Sequence, residues 1–481
     1  MKTVAFALAA IALTLAGCGA LGPNYERPAQ ALPTGAIMPQ STHTTATVDW
    51  LVWWKSFDDP VLNGLLDEAT ANRQDLALAA ARIDESRASL ALTHASRFPT
   101  LDASVNANRS QLSENAGKLQ PGANPRNNTF QPGVTAAFEI DFWGKFQRAD
   151  EAARARLLAI EANRGTVLAS LYANVAQSYF ALRSFDAQVA LAELTFATRK
   201  ENLRLQTKRF EGGVVGQLDV QQAVAEAAGI EATLLQAQQN RRATEATLAV
   251  LVGRTPAAIV QPNIARGTAI DALFSRAAVP AELPSDILNR RPDVIAAEQQ
   301  LIAANADIGQ AKAAYYPTIK LTASLGFESR QLSELFNPSS LFWNLVSGIT
   351  QPLFRAGSIN AVVAGANARK AQATAQYALA VQGAFKDVHD ALNMIAANEA
   401  LVSTADKRIN ALREVLRLAN LRYSNGYSSY LEVLNAQRDL TQAESGVIDA
   451  KRAQLAGVVA LYKAVGGGWA APEPLSRLPG N

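Results

Sequence analysis

Two stretches of this chain run for nearly seventy residues without a proline. One extends from Lys145 to Glu211 (67 residues), the other from Gly357 to Ser424 (68 residues), and Ala, Leu, Gln, Glu and Arg dominate both. These residues are strong helix formers, whereas an interior proline costs about 3 kcal/mol. Isolated glycines such as Gly165, Gly365 and Gly383 cost only about 1 kcal/mol each relative to Ala. With no cluster of breakers inside, each stretch reads as one helix, about 100 Å long at roughly 1.5 Å per residue. Nearly half of the residues are apolar yet many charges remain. That suits helices packed on flanking neighbours with one wetted face, rather than burial in a compact core.

The two stretches are copies within a larger duplication. Residues 72–101 align with 290–319 at a shift of 218. RFEGGVVGQLDV at 209–220 aligns with RYSNGYSSYLEV at 422–433 at a shift of 213, and LAVLVG at 248–253 with LYKAVG at 461–466 at the same shift. A repeat this long is a duplicated half rather than a solenoid unit, whose period is about 20–50 residues. Shorter helices are expected at Val61–Ala95, Gln217–Val252, Pro284–Ala314 and Tyr430–Gly466. Gln217–Val252 and Pro284–Ala314 together match one long helix in length, and so do Tyr430–Gly466 and Val61–Ala95. Stacked end to end in those pairs, they would lie antiparallel beside the long helices and span the same height.

Between the helices lie segments of period 2. In 100–108, Leu101, Ala103, Val105 and Ala107 oppose Asp102, Ser104 and Asn106; in 129–142, Phe130, Val134, Ala136, Phe138 and Ile140 alternate with Gln131, Thr135 and Glu139. The second copy sets Ile319, Leu321, Ala323, Leu325 and Phe327 against Lys320, Thr322 and Ser324. A less regular strand at 341–353 puts Leu341, Trp343, Leu345, Ile349 and Leu353 on one face. Two hairpins on a soluble core would bury one face and wet the other. Strands of a membrane barrel, about 9–11 residues long, would turn apolar side chains to lipid and polar ones to the lumen. Four strands cannot close a pore, since barrels start at about eight, and open edges are not tolerated in hydrocarbon. A barrel would therefore be shared among two, three or four copies, and the strand count does not choose among them.

Composition narrows the function. Across 481 residues, Lys+Arg number 45 and Asp+Glu 42, a net charge of +3 with the basic residues scattered. A nucleic-acid binder concentrates positive charge on one face, so no nucleic-acid partner is expected. His43, His94 and His389 lie far apart and there is one cysteine. No metal-ligand spacing, nucleophile–base constellation, phosphate loop or dinucleotide fingerprint is present. The chain is thus not expected to be an enzyme or to carry a cofactor. Asp58, Asp59 and the other scattered carboxylates read as solvated surface.

The single cysteine is placed informatively. Lys2 precedes an apolar run from Val4 to Ala16, followed by Leu15-Ala16-Gly17-Cys18. This describes a secretory signal, too short to stay as a spanning helix, and Leu-Ala-Gly-Cys is similar to a bacterial lipobox, in which Cys18 becomes the acylated mature N-terminus. Gly19 at the next position is compatible with outer-membrane sorting by the same resemblance. A Pro-, Ala- and Thr-rich tether follows, and Trp50, Trp53, Trp54 and Phe57 are expected to pack the start of the body.

Taken in order, Cys18 with GPNYERP (22–28), WWKSFDDPVLNGLLDEA (53–69), RRPD (290–293), AYYPTIKLTASLGF (314–327), PLFRAG (352–357) and RYSNGYSSYLEVLNAQR (422–438) give a chain that resembles the TolC-like outer-membrane factor family. Within it, the resemblance is to the lipoprotein (NodT-like) branch that works with RND-type efflux systems. The resemblance implies a mainly α fold with a membrane β part. Duplicated helix/strand-hairpin halves would form a homotrimer, with a 12-stranded outer-membrane β-barrel continuous with a 12-helix periplasmic α-barrel. Its partition would be a signal peptide at 1–17, an anchor and tether at 18–60, repeats at 61–253 and 284–466, an equatorial linker at 254–283 and a tail at 467–481.

The implied function is an exit duct for small toxic compounds or drugs, anchored in outer-membrane lipid and working with a periplasmic adaptor (membrane fusion protein) and an inner-membrane RND transporter. Rival readings are an exit duct for type I protein secretion and a structural periplasmic coiled-coil lipoprotein. The adaptor-contacting tips would be Gly212, Gly213, Val214, Val215, Gly216 and Asp219 in the first repeat, with Asn425 and Gly426 in the second. The periplasmic gate would comprise Tyr423, Tyr427, Ser428, Glu432 and Asn435. Ser428 and Asn435 stand where the family often carries charge. That leaves at most one acidic ring, of Glu432, with Tyr423 and Tyr427 narrowing the pore by bulk.

Overall fold

A computed structural model of the protein describes residues 20–29, 44–45, 49–116, 124–277, 279–280 and 287–470. Cys18, the signal peptide and the tail beyond residue 470 lie outside the described residues. In chain order the elements are α1 (Pro60–Asn72), α2 (Gln74–Ala95), β1 (Thr100–Gln111), β2 (Arg126–Ile140), α3 (Lys145–Glu211), α4 (Gln217–Leu251) and α5 (Pro256–Val260). There follow α6 (Ile270–Arg276), α7 (Ile287–Arg290), α8 (Pro292–Ala313), β3 (Thr318–Phe327), β4 (Leu341–Thr350), α9 (Ser358–Ser424) and α10 (Tyr430–Ala464). Both α3 and α9 are unbroken over 67 residues. No described helix is long and apolar enough to cross a membrane. The chain divides into two units: Met1–Ala29, Ile83–Ile160 and Ala297–Tyr377 form one, and Gln30–Arg82, Glu161–Ala296 and Ala378–Asn481 the other.

The first unit holds a single antiparallel sheet in the order β1-β2-β3-β4, so the two hairpins are joined through β2 and β3. Its register places Ala103, Val134, Leu325 and Trp343 in one cross-strand row, and Asp102, Thr135, Ser324 and Asn344 in the next. Opposed residues share a face and successive residues alternate, so these rows belong to an apolar and a polar face. Neither face is covered: Val105 is 80% exposed, Trp343 75% and Ile349 72%, and the polar residues of β1 are exposed too. A soluble antiparallel sheet packs one face on a core. This sheet packs neither, which removes the reading of two hairpins on a soluble core. Leu353 falls beyond β4 because Pro352 cannot donate to a ladder. In the same unit α3 meets α8 through Ala152, Ala155, Ala303 and Ala306, and α8 meets α9 through Ile308, Ala311 and Ala366.

The second unit is built on aromatic packing. From a 3₁₀ segment at Trp50–Phe57, Trp53 stacks on Tyr462 at 5.1 Å, Trp54 meets Tyr172 at 4.5 Å and Phe57 meets Phe180 at 4.9 Å. Burial pushes the Tyr462 phenol up to about 12. Asp59 reverses the expectation of a solvated carboxylate: it is 0% exposed. It caps α1 by accepting from Val61 N–H at 2.9 Å and Leu62 N–H at 3.2 Å. It also accepts from the Tyr179 hydroxyl at 2.7 Å and Thr268 N–H at 2.9 Å. Those four donors replace the water that the carboxylate loses on burial. Burial, and then the Asp59 bond, raise the pKa of Tyr179.

The helix stacks correct the pairing suggested by length. The end of α4 sits on the α1–α2 junction, where Arg73 Nη1 donates to Val250 O at 2.8 Å and Arg254 forks onto Glu68 at 2.7 and 3.0 Å. The end of α10 sits on the α7–α8 junction, where Arg291 Nη1 donates to Ala464 O at 3.0 Å and Arg291 Nη2 reaches Asp293 at 2.6 Å and Asp387 at 2.9 Å. Stacking therefore joins helices of the same repeat: Gln217–Val252 with Val61–Ala95, and Tyr430–Gly466 with Pro284–Ala314. The helices are too similar in length for sums to choose partners. The guanidinium groups that satisfy the last carbonyls of the incoming helix decide it. Each receiving helix is consequently split, at Arg73 and at Arg291, with Pro292 opening α8.

Asp59→Ala removes a cap and strands the Tyr179 and Thr268 donors. It is expected to cost about 2–4 kcal/mol in denaturant unfolding, with Asp59→Asn recovering part of the loss.

Candidate functional site

The two long helices of the second unit end in tips of the same design. At the end of α3, Gly212, Gly213 and Val214 donate to the carbonyls of Lys208, Phe210 and Arg209 at 3.1, 2.9 and 2.8 Å. At the end of α9, Asn425, Gly426 and Tyr427 donate to those of Leu421, Tyr423 and Arg422 at 3.2, 3.1 and 2.9 Å. Gly213 and Gly426 hold φ of +71° and +77°, the left-handed conformation that closes a helix and disfavours a β-carbon. Their spacing is that of the sequence repeat.

The helices that restart the chain differ. Gly216 precedes α4 and its N–H donates to the Asp219 carboxylate at 3.3 Å. Ser429 precedes α10, and Glu432, the counterpart of Asp219, turns instead to Arg422 Nε at 3.6 Å. The Tyr423 hydroxyl accepts from Arg209 Nη1 at 2.8 Å and Gln206 Nε2 at 3.0 Å. Its ring lies 5.3 Å from the Arg209 guanidinium and 5.4 Å from the Tyr430 ring. Tyr430, Val433, Leu434 and Ala223 form a small core beneath, so the two tips are tied to each other. Tyr427 is 79% exposed. Asn425, Gly426 and Asn435 are also exposed, while Val215 and Ser428 are half-buried. Val214 and Leu218 leave an apolar surface at the first tip, as Tyr427 and Leu431 do at the second.

Sequence reasoning missed a buried ionic cluster between α3, α4 and α10. Glu226 and Arg199 are 5% and 3% exposed. Glu226 Oε2 accepts from Arg438 Nε at 2.8 Å, its Oε1 lies 3.7 Å from Arg199 Nε, and Arg199 also donates to Gln437. Desolvation lowers the pKa of Arg199 against the opposing pull of Glu226. The one signal was a charged residue inside the Ala-rich segment VAEAAG at 224–229. Glu226→Ala leaves the Arg199 charge buried and is expected to cost about 3–5 kcal/mol. Arg438→Ala, at the exposed end of the cluster, is expected to cost less; denaturant unfolding of the two variants checks the order.

The family model described as outer membrane efflux protein matches residues 65–254 and 283–467, one segment in each repeat. The chain belongs to the outer membrane efflux protein family. It is 34% identical over 469 residues to the solvent efflux pump outer membrane protein SrpC of Pseudomonas putida, covering 96% of this chain and 97% of that one. It is 31% identical over 457 residues to the probable outer membrane lipoprotein SilC of Salmonella typhimurium, covering 95% and 96%. The crystal structure of the Campylobacter jejuni CmeC outer membrane channel superposes with a TM-score of 0.86 at 26% identity, over 95% of this chain and 97% of that one. As a member of this family the protein resides in the outer membrane and serves efflux.

Proposed function

We propose that three copies of this chain form the exit duct of a tripartite efflux pump, passing small toxic compounds or drugs passively from the periplasm to the exterior. The observation that carries this reading is the four-stranded sheet, which has two faces uncovered within the chain and β1 and β4 at its outer positions. Three copies supply 12 strands, enough to close a lipid-facing barrel, and their helices continue it as a 12-helix tunnel. The row of Asp102, Thr135, Ser324 and Asn344 lines a wet, permissive lumen, which leaves substrate selection to the pump. The apolar tips at Val214, Leu218 and Tyr427 face the periplasmic adaptor, and through it an inner-membrane RND transporter. Cys18 carries the lipid anchor. The efflux names of the relatives favour this reading over a duct for protein secretion. Native mass spectrometry in detergent is expected to give a trimer that conducts in bilayers; a stable dimer or tetramer would overturn it.

At the gate the geometry favours bulk over charge. Glu432 lies against Arg422, which weakens any acidic ring, whereas the Tyr427 ring projects freely. Tyr427→Ala is expected to raise single-channel conductance, and Glu432→Gln to leave cation preference nearly unchanged. Loss of cation preference in Glu432→Gln alone would return the gate to charge.

A further inference from the structure

Two buried polar groups below the tips have hydrogen-bonding capacity that no protein atom meets. The Nε–H of Arg199 and the hydroxyl of Tyr430 are shut off from solvent, and neither has a partner among the described residues. The two residues are 3% and 4% exposed. Arg199 does donate through Nη1 to Gln437, so its side chain is held in place while Nε is left over. Between Arg199 Nε and Glu226 Oε1 lies 3.7 Å, beyond the roughly 3.2 Å reach of an N–H···O bond. Glu226 commits its other oxygen, Oε2, to Arg438, at 2.8 Å from Nε and 2.6 Å from Nη2. A buried donor left unmet is costly and calls for an explanation.

Three helices bring these groups to one place. On α10, Tyr430 packs with Val433 and Leu434 and with Ala223 of α4, and Leu203 of α3 packs against the same small core. One helical turn further along, Glu226 follows Ala223 on α4 and Arg199 precedes Leu203 on α3. The apolar core and the ionic cluster are therefore adjacent layers, and the Tyr430 phenol feels both. Burial raises its pKa, Arg199 pulls it back, and Tyr423 and Glu226 raise it again. The phenol acts on Arg199 in return. It stays a neutral hydroxyl at physiological pH, able both to donate and to accept.

We propose that this place is a binding site for one structural water, which bridges Arg199 Nε, Tyr430 Oη and Glu226 Oε1. A buried water typically makes about three hydrogen bonds. Here it accepts from the guanidinium, donates to the carboxylate and takes its third bond from the phenol. A gap too long for a direct bond becomes a bridged one. The charges favour water over an ion. A halide would accept from Arg199 and Tyr430 but would face the Glu226 carboxylate, and a metal cation would face the Arg199 guanidinium. Water alone offers a donor to one and an acceptor to the other. The bridge joins α3 and α4 of the first repeat to α10 of the second, beside the ties made by Gln437 and Arg438. It stands apart from the transport reading and does not depend on it.

The test uses full-length protein in detergent, as wild type, Tyr430→Phe, Arg199→Lys and the double variant. Removing a buried hydroxyl that has no partner stabilises a protein, whereas removing one that holds a water destabilises it. The sign of the effect decides. Tyr430→Phe is expected to lower the midpoint of denaturant unfolding, with the unfolding constant rising about two- to tenfold. The double variant is expected to lose less than the sum of the single losses, because both residues act through one water. A high-resolution crystal structure of the wild type is expected to show one solvent peak within hydrogen-bond reach of Arg199 Nε and Tyr430 Oη, lost or displaced in Tyr430→Phe. Crystals grown in bromide separate water from halide: an anomalous peak at the site would assign an anion and overturn the proposal. A midpoint unchanged or raised in Tyr430→Phe would overturn it as well. That outcome is readable even where Arg199→Lys does not fold, since Phe keeps the ring and its packing.

Discussion

A strand edge in hydrocarbon would have no water to turn to, and in the proposed barrel that constraint governs how copies of this chain meet. β1 and β4 stand at the two ends of the sheet order, and among the described residues neither has a further partner. Each unpaired backbone group costs several kcal/mol in lipid, so a bilayer accepts these edges only when another sheet meets them. Each of the four strands of this sheet is covalently continuous with a helix: α2 leads into β1, β2 into α3, α8 into β3 and β4 into α9. Whatever grouping satisfies the strand edges therefore also brings together the helices that are continuous with those strands.

Duplication supplied two copies of each part, and divergence gave them separate work. Gly213 and Gly426 retain one backbone geometry because the helix stop demands it. The acids that follow are freer. Asp219 is short enough to reach back to the Gly216 N–H, whereas the longer Glu432 spans to Arg422. Arg209, the counterpart of Arg422, is drawn to Tyr423 on the other tip. One pattern thus became a tip whose restarting helix is capped by its own Asp219 and a tip whose Glu432 turns to Arg422, at the same spacing.

What was legible in the sequence follows from how local each feature is. The long helices and the alternating strands are set by neighbours one to four positions away, so composition and period located them within a few residues. The partners of α4 and α10 were misassigned because stacking is decided by Arg73 and Arg291, whose targets lie 177 and 173 residues away. Asp59 looked like surface because its burial depends on Tyr179 and Thr268, which no spacing links to it. The partners of Glu226 were hidden for the same reason, and only its place inside VAEAAG hinted at the cluster. The tips were readable because the repeat itself aligned them, but the engagement of Glu432 with Arg422 needed three dimensions.

The breaks at Arg73 and Arg291 divide stiffness within each repeat. α3 and α9 carry torsion along uninterrupted backbone hydrogen bonds over 67 residues. The paired columns beside them are jointed, held across the gap by guanidinium groups resting on carbonyls. Besides these carbonyl contacts, Arg254 forks onto Glu68 at the first joint and Arg291 reaches Asp293 and Asp387 at the second. In each repeat the long helix is held by its own backbone over its whole length, while the column of two shorter helices depends at its break on arginine side chains, a difference that a bundle of unbroken helices would not have.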